Sequence, residues 1–170
     1  MKSQTSQNPN ESIQKLGELI KDIQFAMFTT IDFDGSLYSR PMASQQQEFN
    51  GDLWFFTNQS SGKIRSIEKD QHVNLAYAST EHSRYVSVSG RAEIVKDHAK
   101  IEELWTPFLK AWFPEGLEDP ELALIKVRVE SAEYWDTPSS KVVRLVGFAK
   151  AVATGTAYHP EENKKIQIRH

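Results

Sequence analysis

The chain has 170 residues and a mass of 19.4 kDa, the size of one domain, and its 39% hydrophobic and 25% charged residues supply a core and exclude a wholly disordered protein. It contains no cysteine, which excludes a disulfide framework, a Cys-ligated zinc site and thiol catalysis. A net charge of -3 is not that of a nucleic-acid binder, no apolar run approaches the roughly 20 residues of a membrane span, and polar Met1 to Asn10 has no apolar stretch of a secretory signal, so a cytoplasmic protein is expected, with neither nucleic acid nor membrane as partner.

Residues 1–10, rich in Ser, Gln and Asn, are expected to form a flexible N-terminus. From Glu11 to Gln24, Ile13, Leu16, Leu19, Ile20 and Ile23 recur at spacings of three and four, which predicts an amphipathic helix. Ala26 to Ile31 predicts a strand, Asp34-Gly35 a hairpin turn, and Ser36 to Gln46 the return strand. Asn50-Gly51 predicts a second hairpin into an aromatic strand, Asp52 to Thr57. Ser60 to Lys69 predicts a short helix with serines available as caps. Val73 to Ser79 and Tyr85 to Val95 predict two more strands, the second interrupted by Gly90, where a bulge or a close backbone approach is expected. Asp97 to Trp112 predicts a helix broken near Pro107, Leu122 to Tyr134 a strand with one wet face, and Ser140 to Thr154 a final helix. The boundaries are thus 1–10, a domain over 11–154, and a polar tail over 155–170. Six strands without a regular βαβ rhythm predict an α+β fold whose mainly antiparallel strands close into a small barrel.

Two stretches are candidates for chemistry. In Trp54-Phe55-Phe56-Thr57-Asn58-Gln59-Ser60-Ser61-Gly62-Lys63 a strand ends in hydroxyl and amide side chains and a helix begins with a lysine. Anions favour helix N-termini, and a lysine in that first turn opposes the dipole unless an anion is there to be neutralised. In Ser39-Arg40-Pro41-Met42 the proline demands an edge or a bulge where Arg40 projects, and arginine suits phosphate. An ordinary strand–loop–helix and a surface arginine fit the same spacings, which alone do not choose. Trp105, Trp112 and Phe113 fall at helical spacing and are expected to pack. The five histidines show no metal-ligand spacing, so no metal site is expected.

Taken as an ordered set, Ser39-Arg40-Pro41-Met42, Trp54-Phe55-Phe56-Thr57-Asn58 with Ser61 and Lys63, Val86-Ser87-Val88-Ser89-Gly90, and Glu133-Tyr134-Trp135-Asp136 resemble the pyridoxamine 5′-phosphate oxidase-like FMN-binding split barrels, in particular their general stress protein 26 branch. The resemblance implies a six-stranded split β-barrel with peripheral helices, forming a homodimer with FMN (FAD as the alternative) at the interface. It places Arg40 and Lys63 on the flavin phosphate, with Thr57 and Ser61 as hydroxyl donors and Asn58 beside them. It runs Pro41 and Met42 along the isoalloxazine, sets Phe56 beside the ring, and brings Trp135 to the flavin of the other subunit.

The oxidases carry an Arg-x-His pair after that tryptophan where this chain has Lys141-Val142-Val143, a Gln where it has Tyr85, and an Arg-Leu-x-Pro tail where it ends Lys165-Ile166-Gln167-Ile168-Arg169-His170. The resemblance therefore implies flavin binding without vitamin B6 oxidation. Its first functional form is an FMN-dependent oxidoreductase acting on an unknown small molecule or on NAD(P)H. The alternatives are a stress protein that carries flavin without turnover and, further off, a barrel holding haem or a deazaflavin. The catalytic residues are unknown on this reading.

Overall fold

Alternation of side chains across one long sheet sets the architecture. The computed structural model describes residues 9–45, 48–137, 141–158 and 162–168, with 141–143 by backbone alone. Its elements are α1 (Pro9–Ile20), β1 (Phe25–Ile31), β2 (Leu37–Ala43), β3 (Asp52–Asn58), α2 (Gly62–Lys69), β4 (His72–Ser79), β5 (Arg84–Val95), α3 (His98–Leu104), β6 (Leu122–Asp136), α4 (Lys141–Thr154) and β7 (Glu162–Gln167). The six expected strands are all present within about two residues of their expected ends. Residues 1–8, Gln46, Ser140 and the last two residues, which also carried expectations, lie outside the described residues.

The strands run in the order β2-β1-β4-β5-β6-β3, every pair antiparallel. The sheet curls so that its two edges, β2 and β3, approach one another without forming a ladder. This is the split barrel. Inside it, Phe28, Phe55, Leu75, Val88, Ile125 and Val127 form a dry core, closed at one end by Leu16, Leu19 and Ile20 of α1. A second cluster packs α3 and the following turns against the outside of β3 and β6, around Phe56, Ile101, Leu104, Leu109, Phe113 and Leu124. β3 is therefore buried on both faces.

Three expectations are corrected. Asn50-Gly51 does not join a hairpin, because β3 pairs with β6 and not with β2. Gly51, at φ +109, instead turns the chain so that its carbonyl accepts from the Val129 amide at 2.9 Å. The helix expected to Trp112 ends at Leu104, and Pro107 opens a separate 3-10 turn, Pro107–Ala111, because proline suits the first turn of a helix and not its interior. The polar tail is not outside the domain: β7 pairs with the end of β6, residues 131–136, and buries Ile166 and Ile168 in the barrel core. β6 has 15 residues, enough for β3 and β7 to line the same side of it end to end. Gly90 meets both of its expectations. The β5–β6 register shifts between Ser89 and Gly90, and a Cβ at Gly90 would lie 2.3 Å from the Arg128 carbonyl oxygen.

Candidate functional site

The candidate site is built at the split, from the two edge strands. Pro41 is tolerated on β2 because β2 is an edge strand, bonded to β1 on one side alone. Side chains two residues apart on a strand share a face, so Met42, Arg40 and Tyr38 follow one another along β2. Met42 is buried, Arg40 half-buried and Tyr38 exposed. Arg40 donates from Nη1 to Thr30 Oγ1 at 2.8 Å, and its guanidinium lies over the Tyr38 ring at 4.7 Å. Burial lowers its pKa from the ordinary arginine value, yet a guanidinium stays charged at any pH at which a protein folds.

Opposite it, β3 ends at Asn58 and α2 begins at Gly62. Ser61 is the N-cap residue of α2, but its side chain makes no cap bond. Its hydroxyl is turned instead toward the clamp: Lys63 Nζ donates to Ser61 Oγ at 3.2 Å and to Thr57 Oγ1 at 3.1 Å, and the two hydroxyls are 3.3 Å apart. The Lys63 ammonium is pushed below its ordinary pKa, first by burial and then by the positive charge of Arg40. Neither cation makes a salt bridge among the described residues. Two half-buried, unneutralised cations that repel each other, with two hydroxyls between them, form a site that an anion would stabilise.

A cleft of about 550 Å³ opens from this clamp, with Pro41, Met42, Phe56, Thr57, Asn58 and Lys63 on its wall. Phe56 is buried at its base, held edge-on by Trp105 at 5.9 Å and tilted against Phe113 at 6.3 Å. The cleft is thus apolar at one end and cationic at the other, a shape suited to a planar ring that carries a phosphate. Eight of the nine residues singled out from the sequence come together here. The ninth, Trp135, does not. It sits on β6 between Tyr85 and Asn163, at the outer face of the sheet, where it can meet a flavin only of another copy of the chain.

The sequence reading missed the far wall. Trp105 and Phe113 pack as expected, but Trp112 is 53% exposed and Phe108 is 60% exposed, their rings 5.2 Å apart at the cleft wall. The signal was the offset of Phe108 and Trp112 from Leu109 and Phe113: one pair anchors the turn and the other leaves it. A larger hollow of about 660 Å³ lies between α1 and the segment before β3. Its wall carries Glu18, Glu48 and Asp52 against Lys21, the wrong sign for an anion. Among the described residues no three His, Asp or Glu side chains converge as metal ligands.

The comparisons agree with this geometry. The family model for pyridoxamine 5′-phosphate oxidase-like proteins matches residues 11–159. Protein bli-3 of Neurospora crassa is 34% identical over 156 residues, covering 86% of this chain and 75% of that protein. Among solved structures, the general stress FMN/FAD binding protein of Xanthomonas citri is 30% identical with a TM-score of 0.66, covering 77% of this chain and 92% of its own. A Clostridium acetobutylicum protein related to general stress protein 26 of B. subtilis shares the fold with a TM-score of 0.69 at 19% identity, covering 95% of this chain and 97% of its own.

Proposed function

The chain belongs to the pyridoxamine 5′-phosphate oxidase-like family, and from that premise we propose that it is a flavin-binding protein of the general stress type that holds FMN in the split between β2 and β3. The observation that carries this reading is the unneutralised pair Arg40 and Lys63 at the cationic end of an apolar cleft. The phosphate lies between the two cations and takes hydroxyl bonds from Thr57 and Ser61. The isoalloxazine runs along Pro41 and Met42 over Phe56, with Asn58 at its edge. Neighbours named as general stress and FMN/FAD binding proteins support it.

The flavin site is completed by a second copy of the chain. The outer face of β1, β4 and β5 presents Phe25, Met27, Ala76, Ala78 and Tyr85 to solvent, an apolar surface at the middle of a sheet, and Trp135 continues it. A homodimer through this face brings Trp135 to the partner's flavin.

When bound, the flavin supplies electron and hydride chemistry, and this chain's residues bind and orient it. We favour an FMN-dependent oxidoreductase over a carrier because Phe108 and Trp112 stand exposed on the cleft wall, where a second molecule can stack. Vitamin B6 oxidation is not proposed, since Lys141-Val142-Val143 replaces the Arg-x-His pair. The location is proposed as cytoplasmic; no helix among the described residues is long and apolar enough to cross a membrane. The visible spectrum of the freshly purified protein tests the cofactor. Two flavin bands, in the near-UV and the blue, are expected. A Soret band, or a colourless protein that takes up no added FMN, would overturn the reading.

A further inference from the structure

The clamp is not the end of the site. A groove of about 440 Å³ lies along Arg40 and Lys63 and continues past them, lined by Asp32, Phe33, Tyr38, Gly62, Arg65 and Ser66. Lys63 borders both this groove and the flavin cleft. Three cations line the groove against one carboxylate, a surplus larger than one phosphate monoester needs. Beyond the cations stand two aromatic rings with no apolar cover, Phe33 at 59% and Tyr38 at 60% exposure. An exposed ring beside a cationic track is the arrangement on which a base stacks.

The geometry points to a second subsite: we infer that the groove holds the adenosine monophosphate half of FAD, so that the chain binds the dinucleotide as well as FMN. The inference rests on the flavin reading above. Along β2, Met42, Arg40 and Tyr38 are spaced by two residues, about 7 Å each, and mark in order the ring, the pyrophosphate and the adenosine. Arg40 and Lys63 hold the phosphate nearer the flavin. Arg65, one turn into α2, takes the second phosphate. Phe33 and Tyr38 flank the adenine, and the Asp32 carboxylate, whose Oδ1 accepts from the Phe33 amide at 2.7 Å, leaves Oδ2 for a ribose hydroxyl. Gly62 leaves room for this passage, since a Cβ there would meet nothing within 4 Å.

Fluorescence titrations of the full chain with FMN and with FAD test it. FAD should bind at least as tightly as FMN. Arg65→Ala should weaken FAD about tenfold or more, the effect of one charge-assisted hydrogen bond, and leave FMN unchanged; Arg65→Lys should restore most of the loss. Phe33→Ala, whose ring does not touch Arg40, should likewise weaken FAD alone. FAD binding more than tenfold weaker than FMN, or FAD unaffected by both alanine variants, would overturn the subsite and leave the flavin reading standing. Failure of the wild type to bind either flavin would overturn both.

Discussion

Lys63 is the residue whose chemistry is most exposed to test. Burial and the neighbouring Arg40 both disfavour its charged form and hold its pKa below the usual 10.5. A phosphate dianion would reverse that preference. FMN affinity should therefore fall as pH rises through the lowered Lys63 pKa, below 10.5, while riboflavin, which has no phosphate, should show no such step. Lys63→Arg should bind FMN and remove the step, because a guanidinium does not titrate there. The free protein should move the other way. Between the lowered pKa and 10.5 the unfolded chain binds more protons at this lysine than the folded one, so the lysine's contribution to stability grows with pH. Isothermal titration with FMN and with riboflavin across the alkaline range checks the first claim, and a pH-independent FMN affinity in the wild type would contradict it.

At the scale of elements, the strands with strict alternation were legible and those defined by their partners were not. β5 reads from Val86, Val88 and the interruption at Gly90 alone, and the structure gives a physical reason for that glycine. The β6 backbone crosses where its Cβ would be. Gly90→Ala should destabilise the protein by about 3 kcal/mol, because the obstacle is a backbone carbonyl that cannot turn aside. Gly62→Ala, in open space at the start of α2, should cost nothing measurable. Urea denaturation of the two variants checks the contrast, and equal stabilities would contradict it. β7, by contrast, reads Glu162-Asn163-Lys164-Lys165-Ile166-Gln167. Its single buried side chain, Ile166, leaves no periodicity to detect, and the free side of a 15-residue partner strand makes it a strand. Asn50-Gly51 failed for the complementary reason: the turn signal is local, but the partner of β3 is β6, far along the chain.

For the whole molecule, the site depends on topology that no local pattern reveals. Arg40 and Lys63 are 23 residues apart in the chain, and they meet because the two strands that carry the site, β2 and β3, are the two ends of one curled sheet. The motif residues were legible as a set; the aromatic wall of Phe108 and Trp112 was not, because a ring that packs and a ring that is left bare share the same helical spacing. Trp135 belongs to a still larger scale. Its place on the outer face beside Tyr85 makes sense in a dimer, with an interface of roughly 2,000 Å². Sedimentation at micromolar concentration should find a dimer, and Met27→Glu, a charge on that face, should split it and weaken FMN together. A monomer that retains FMN would contradict this.

The central claim is that the split is a phosphate clamp, and fluorescence titration of Arg40→Ala with FMN and with riboflavin tests it most directly. One charge-assisted hydrogen bond contributes about 1.5–3 kcal/mol, so FMN affinity should drop roughly ten- to a hundredfold while riboflavin affinity stays as in the wild type. Damage to the fold would weaken both ligands alike. Equal losses for the two flavins, or none for either, would contradict the account and move the phosphate elsewhere.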